Sequence, residues 1–336
     1  MNYQLNIDNT SSRVYLVRIF YRIMNIQQLE YIIAVDNHRH FAKAAEASFV
    51  TQPTLSMMIQ KLEDELSVKI FDRSQLPVQP TPIGVQIINQ ARVIVSQVKQ
   101  IKEIIQEEKG IVKGTFKLGI IPTIAPYLLP KLMLMHEENG YDIELVIEET
   151  TTGQIIDRLL NGSLDGAILA TPLKNEKLKE HPIYYERFYA YVSPRETSLY
   201  AKKELDEEDL NINKLWLLEE VHCFRSQILR ICNLRKRKSS HTLFTYEAGS
   251  INTLINIVDN NSGLTIIPEM AIEQLNEKQK QNIRPLKDIC PVREISLVTR
   301  KEFLRERVLG IIIDEVKKAV PPALLNQDLK KFVVDI

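Results

Sequence analysis

The apolar residues of this chain change their period once, near Gly110. Before it they recur at helical spacing; the stretch 115–121 after it reads as a buried strand, and further strands and helices follow in alternation. Such a pattern requires two bodies, one helical and one α/β, with their boundary at residues 108–114, where Gly110 breaks the preceding helix. A length of 336 residues allows two or three domains with substantial cores.

The helical part starts at Met24. Leu29, Ile32, Ile33 and Val35 form one apolar stripe, and Phe41, Ala44, Ala45 and Ala47 mark a short second helix rich in small side chains. Thr51-Gln52-Pro53-Thr54-Leu55-Ser56 opens a third helix, with Thr51 as N-cap and Pro53 in the first turn, carrying Leu55, Ile59, Leu62 and Leu66 inward. Three short helices of this kind form a helix-turn-helix candidate whose third helix enters a DNA major groove. Gln52, Thr54, Ser56 and Gln60 would face bases and phosphates there. The alternative, three core helices of a larger helical domain, leaves the polar cluster Gln52, Gln60 and Lys61 without a reason. Residues 70–82 suggest a small wing with Arg73 as phosphate contact. Thr81 then caps a helix of about 25 residues that begins at Pro82, and its seam of Ile83, Ile87, Ala91, Ile94, Val98, Ile101 and Ile105 suits dimerisation.

Charge sets a limit on the nucleic-acid reading. With 43 Lys and Arg against 43 Asp and Glu there is no global basic field, so DNA contacts must be local and multiplied by oligomerisation. Residues 1–23 are poor as a signal peptide, because Arg18 and Arg22 interrupt their apolar run and no small-residue cleavage site follows; they are read as an extension outside the core fold.

In the second body, helices are expected at 126–137, 154–160, 251–259 and 303–317. Strands are expected at 143–147, 167–170, 188–192, 264–267 and 295–299, with shorter ones near 215–218 and 243–246. These imply mostly parallel sheets in two small lobes, with ligands bound outside the carboxyl ends of the strands. Thr123 follows the first strand and Thr152 the second, so both hydroxyls can serve an anion or small polar molecule; each could equally cap its helix. No glycine-rich nucleotide motif is present, and the six histidines, including His38 and His40, show no metal-binding constellation, so neither cofactor nor metal is expected.

Three cysteines and no membrane-length apolar run point to a reducing cytoplasm. Cys223 has His222 beside it and Arg225 two residues on, a cationic setting that favours the reactive thiolate. Cys232 lies nine residues further along. Nine residues of helix would separate the two α-carbons by roughly 13 Å, while a disulfide requires about 7 Å or less. The pair is therefore either two free thiols or a transient redox couple. Cys290, before Pro291, is read as a spare thiol.

Phe41-Ala42-Lys43-Ala44-Ala45, Thr51-Gln52-Pro53-Thr54-Leu55-Ser56, Lys61-Leu62-Glu63 and Phe71-Asp72-Arg73 together resemble the winged helix-turn-helix of LysR-type transcriptional regulators. The resemblance extends from Met24 to about Lys318. It implies a DNA-binding domain at 24–82, a dimerisation linker helix and hinge at 83–113, a two-lobed regulatory domain of the periplasmic-binding type at 114–320, and a C-terminal tail at 321–336. It implies no enzyme but a homodimer or homotetramer that binds and bends double-stranded promoter DNA and works with RNA polymerase. Gln52, Pro53, Thr54, Ser56, Gln60, Lys61 and Arg73 are the DNA-binding residues it suggests.

Residues 119–130 and His222-Cys223-Phe224-Arg225 with Cys232 look like the peroxide-sensing OxyR branch. That resemblance makes Cys223 the peroxidatic thiol and Cys232 its resolving partner, with Thr123, Thr152, His222, Arg225 and Arg293 around hydrogen peroxide. It implies sulfenic acid and then disulfide formation, remodelling of 223–232, control of antioxidant genes, and reset by a reducing thiol system. Two departures stand out: Ser226 occupies a position that is often acidic, and Arg235-Lys236-Arg237-Lys238 is unusually basic. A sibling reading replaces peroxide with a small anionic co-inducer between the lobes. A redox enzyme or binding protein without regulatory function would need the first 110 residues to be something other than a DNA-binding head.

Overall fold

The computed structural model describes residues 24–210, 214–218, 223–231, 249–287 and 291–334. They form two compact units, one up to Lys102 and one from Glu103 onward.

In the first unit, helices α1 (Ile26–His38), α2 (Phe41–Ala47) and α3 (Gln52–Leu66) follow in quick succession because each start is capped. Asn25 and Gln28 form a reciprocal capping box, His40 Nδ1 accepts the Ala42 N–H at 3.2 Å, and Thr51 accepts the Thr54 N–H. Leu29, Ile32, Val35, Ala44, Ala45, Leu55, Ile59 and Leu62 share one core. Leu66, expected to point inward, is instead 36% exposed; it is the last residue of α3, just before Ser67 turns left-handed. Strands β1 (Phe71–Asp72) and β2 (Gln79–Pro80) form the antiparallel wing.

Helix α4 (Pro82–Glu108) starts at the expected proline, and Thr81 Oγ1 accepts the Gly84 N–H at 3.0 Å while donating to the Lys69 carbonyl at 2.6 Å. Gly84 is required there, since a Cβ would collide with the Ile70 carbonyl oxygen. One face of α4 places Ile88, Ala91 and Val95 in the core of the first unit. Ile83, Val98, Ile101, Ile104 and Ile105 remain exposed.

The second unit contains β3 (Gly114–Ile120), α5 (Ala125–Asn139), β4 (Ile143–Glu149), α6 (Thr152–Leu160), β5 (Gly166–Thr171) and the 15-residue β6 (Leu178–Val192). There follow α7 (Thr197–Tyr200), α8 (Cys223–Ile231), α9 (Ile251–Asn260), β7 (Leu264–Pro268), α10 (Glu277–Lys280), β8 (Ile283–Pro285), β9 (Val292–Arg300) and α11 (Glu306–Ala319). Strand order is β4-β3-β5-β9-β6-β7, with β8 also on β6.

The sheet corrects the expectation of mostly parallel pairing. Among the strands of the described residues parallel pairing is confined to β3, with β4 and β5, apart from isolated bridges, whereas β5–β9, β6–β9, β6–β7 and β6–β8 are antiparallel. The cause is the long β6: residues 178–187 pair with β9 and residues 188–192 pair with β7 and β8, so one strand serves both lobes. The lobes meet where the Phe188 N–H donates to the Pro291 carbonyl at 3.2 Å. The expected strand 188–192 is therefore only the end of β6, whose first part is disguised by Lys179, Glu180, His181 and Pro182 and by a register shift between Pro182 and Tyr184. Near 215–218, Leu215 makes a single bridge with Leu264, and the expected strand at 243–246 lies outside the described residues.

Residues after α11 fold back on the crossover. Leu329 packs with Tyr185 and Val292, and the Val334 N–H donates to the Val292 carbonyl at 2.9 Å. Among the described residues no helix is long and apolar enough to cross a membrane.

Candidate functional site

Two sets of side chains stand out, one in each unit. On α3, Gln52, Pro53, Thr54, Gln60 and Lys61 are exposed and Ser56 is half-buried. This polar face is held in place by Glu63, which is buried under the wing. Its Oε1 accepts the N–H groups of Ile70 and Phe71 at 2.8 and 3.2 Å, tying the third helix to the strand that leads into the wing. Arg73 reaches back from the wing, donating to Ser56 Oγ at 3.2 Å and to Glu63 Oε2 at 3.4 Å, with its guanidinium 4.9 Å from the Phe41 ring centroid. It remains 39% exposed.

The second set lies at the carboxyl ends of β3 and β4 and on the crossover strands. Thr123 does not cap α5: the N-cap position is Ile124, and Thr123 is turned to Arg293 instead. Arg293 Nη1 donates to Thr123 Oγ1 at 3.0 Å and Nη2 donates to the Thr123 carbonyl at 3.0 Å. Its Nε donates to Glu186 Oε1 at 2.6 Å, and the other Glu186 oxygen accepts the Met270 N–H at 3.2 Å. Thr123, Arg293 and Glu186 are all essentially inaccessible to solvent. A buried guanidinium is tolerated only when its charge and donors are matched, and this one has a carboxylate, a hydroxyl and a carbonyl. Its remaining face lies 5.1 Å from the centroid of Phe224, whose ring stands 5.3 Å from that of Phe188.

The electrostatics of this node follow from its burial. Loss of solvent pushes the Glu186 carboxyl upward, while Arg293 and the Met270 N–H pull the other way. Tyr127, whose hydroxyl donates to Asn252 Oδ1 at 3.3 Å, is raised chiefly by burial, opposed by Arg293 and reinforced by Glu186.

Phe224 belongs to α8, which begins at Cys223, so the Cys223 backbone is one residue from the ring on Arg293. His222 and Cys232 lie outside the described residues. Arg225, expected beside the thiol, donates to the Leu218 carbonyl at 2.9 Å. Thr152 is the first residue of α6 and half-buried; the N-cap is Thr151, which makes no side-chain cap. Because the Thr150 N–H bonds to the Ile120 carbonyl at 3.0 Å, the strand ends that carry Thr123 and Thr152 are adjacent.

Three residues escaped the sequence reading. Glu186 and Phe224 complete the Arg293 node, and the only clue to the former was an arginine interrupting the apolar run of β9. Gln227 lies one turn beyond Cys223, fully buried, and neither its Oε1 nor its Nε2 has a hydrogen-bond partner among the described residues. A buried amide with both ends unmatched is costly unless something polar fills the space beside it. Among the described residues no three His, Cys, Asp or Glu side chains gather as a metal site requires.

Residues 26–85 match the bacterial regulatory helix-turn-helix protein, lysR family, and residues 109–320 match the LysR substrate binding domain. The chain belongs to the LysR family of DNA-binding transcriptional regulators. Within it, the chain is similar to the hydrogen peroxide-inducible genes activator of Haemophilus influenzae, 36% identical over 301 residues that cover 88% of this chain and 98% of that protein. It is 35% identical over 311 residues to the DNA-binding transcriptional dual regulator OxyR of Escherichia coli K12, covering 88% and 100%. Among solved structures, a full-length OxyR from Pseudomonas aeruginosa with aspartate in place of one cysteine matches with a TM-score of 0.73 and 34% identity, covering 88% of this chain and 98% of that one.

Proposed function

We propose that this LysR-family regulator senses hydrogen peroxide through Cys223 and transmits the signal to promoter DNA. The observation that carries the reading is the Arg293 node: a buried cation holds Thr123 on one side and Phe224, the neighbour of Cys223, on the other. Cys223 is followed two residues on by Arg225, and a cation near a cysteine favours the thiolate. Hydrogen peroxide is also in the names of the relatives in Haemophilus influenzae and Dickeya chrysanthemi, each a hydrogen peroxide-inducible genes activator.

In the proposed reaction the Cys223 thiolate attacks one peroxide oxygen, the O–O bond breaks, and hydroxide leaves; sulfur is oxidised to the sulfenic acid and peroxide is reduced. Thr123, Thr152, His222 and Gln227 orient the peroxide, and Arg293 stabilises charge on the departing oxygen. The Cys232 thiol then displaces water from the sulfenic acid, forming the disulfide. Since a helix would keep the two α-carbons roughly 13 Å apart, residues 223–232 must unwind. The remodelled segment changes how two subunits associate, and a cellular dithiol returns the protein to its reduced state.

Readout is assigned to α3, with Gln52, Pro53, Thr54, Ser56, Gln60 and Lys61 on the groove and Arg73 on a phosphate. The exposed face of α4 with Val98, Ile101 and Ile105 pairs with a second copy, giving the homodimer or homotetramer that DNA binding by a chain without net charge requires. RNA polymerase is the partner that converts the change on DNA into transcription.

Promoter occupancy and transcript level, measured with and without peroxide in the unsubstituted protein and in Cys223→Ser, test the reading. The expected result is a peroxide response that the substitution abolishes while DNA binding persists. An unchanged response in Cys223→Ser would overturn it and assign induction to an anionic co-inducer between the lobes.

A further inference from the structure

Among the described residues Glu186 is the one acid bonded to the Arg293 guanidinium, and neither resemblance nor spacing gives it a role. It stands opposite Arg293 in the β6–β9 register, one residue before β6 exchanges β9 for β7 and β8. Its carboxylate is held at both ends, by Arg293 Nε at 2.6 Å and by the Met270 N–H at 3.2 Å. The Met270 contact comes from the segment after β7, in the other lobe from Thr123.

We propose that Glu186 is a positioning residue for the Cys223 thiol, aiming the Arg293 guanidinium and setting how much of its positive charge the thiol experiences. With Nε fixed on Glu186, the planar fork can place Nη1 and Nη2 only on Thr123 and its face on Phe224. The carboxylate also cancels much of the cation's field. A bare buried arginine next to the start of α8 would overstabilise the thiolate, and a thiolate of very low pKa is a poorer nucleophile. Glu186 thus trades thiolate population against reactivity. Among the described residues the other ionisable groups facing the pair are Tyr127 on α5, Tyr184 on β6 and Glu269 after β7, the last already engaged with Arg187 at 3.5 Å. The two tyrosines are both shifted upward by burial and stay neutral near pH 7, and none of these groups replaces Glu186 as the counter-charge.

Glu186→Gln keeps an oxygen for Arg293 Nε but removes the charge. The test is the pH profile of Cys223 alkylation by iodoacetamide, read by peptide mass spectrometry in the full-length reduced protein, with Glu186→Asp as the charge-conserving control. The expected result is a midpoint lower by about one pH unit in Glu186→Gln, within the range an opposing charge produces, and a return toward the unsubstituted midpoint in Glu186→Asp. Equal midpoints in all three proteins would overturn the proposal and leave Glu186 a structural residue. If Glu186→Gln does not fold, the Arg293 Nε–H resonance of the unsubstituted protein gives the answer: it should shift as Cys223 titrates and stay still in Cys223→Ser, and an unresponsive resonance overturns the proposal. The consequence for sensing rests on the peroxide reading above. Because alkylation uses no peroxide, an altered profile in a protein whose thiol ignores peroxide would defeat that reading and leave this one standing.

Discussion

Arg73 and Arg293 have the same three kinds of partner and opposite circumstances. Each guanidinium meets a glutamate, a hydroxyl and a phenylalanine face: Glu63, Ser56 and Phe41 for the first, Glu186, Thr123 and Phe224 for the second. The wing arginine is 39% exposed with its carboxylate at 3.4 Å, while the crossover arginine is 1% exposed with its carboxylate at 2.6 Å. Water reaches the first guanidinium although its carboxylate is buried, and this leaves Arg73 open to the DNA phosphate proposed as its partner. Inside the regulatory unit the same groups are withdrawn from water and form a fixed frame, which the proposed sensing reaction would use to orient peroxide. The same residue types thus form an open contact in one unit and a closed frame in the other, and burial makes the difference.

The largest effect expected from breaking the comparison is at Arg293. Arg293→Ala leaves Glu186 buried without its cation and should cost about 3–5 kcal/mol of stability by denaturant unfolding, with Cys223 oxidation reduced at every pH at which the variant is folded. Loss of less than about 1 kcal/mol would mean that the interior pair is no more consequential than the surface one. Next in size, Thr123→Val removes the hydroxyl but keeps the shape. Peroxide oxidation of Cys223 should slow by about 10²-fold, as for removal of one donor to developing negative charge, and stopped-flow measurement of sulfenic acid formation would show it; stability should fall by about 1–3 kcal/mol, because the buried Arg293 Nη1 loses its acceptor.

A third pair, intermediate in exposure, sharpens the trend. His136 on α5 presents Nδ1 to Glu315 of α11 at 2.9 Å and Nε2 to the Ile143 carbonyl at 2.7 Å, an arrangement that uses both ring protons. Burial by itself would lower the imidazole, but the Ile143 carbonyl and the Glu315 carboxylate outweigh it and hold the group above its ordinary value. Its stabilisation is therefore fully present below the unfolded imidazole pKa of about 6.5 and is lost as pH rises through the elevated folded value. The Tm difference between the unsubstituted protein and His136→Gln should be greatest at the acidic end of that range and shrink at higher pH; a difference that grows with pH would refute the assignment.

The smallest stability effect belongs to Arg73→Ala, within about 1 kcal/mol, because Arg73 is itself part-exposed and the buried Glu63 keeps the Ile70 and Phe71 N–H groups and Lys69 as partners. Its consequence should appear on DNA instead. Promoter affinity should fall for all sequences alike, and the slope of affinity against salt should decrease by about one, as for one lost phosphate contact.

The same contrast governs what could be read from the chain before its fold was seen. The DNA-binding unit was legible because its signals are local: Thr51 with Pro53, and Thr81 with Pro82, mark helix starts within a few residues. In the regulatory unit Thr123 was legible as a hydroxyl after a strand, but its partner Arg293 is 170 positions away and that arginine's own partner Glu186 is 107 away. Glu186 also lies in the half of β6 that polar residues and a bulge concealed, so the strand was drawn too short to include it. Gln227 was hidden for another reason: its position marks one face of a helix, and only packing shows that this face is inside.

The most direct test of the central claim is mass spectrometry of reduced full-length protein pulsed with roughly stoichiometric hydrogen peroxide, with the peptides carrying Cys223 and Cys232 followed over time. The expected result is a transient gain of one oxygen at Cys223, then loss of two hydrogens localised to a Cys223–Cys232 link; a folded protein whose Cys223 remains a free thiol would contradict peroxide sensing through this cysteine.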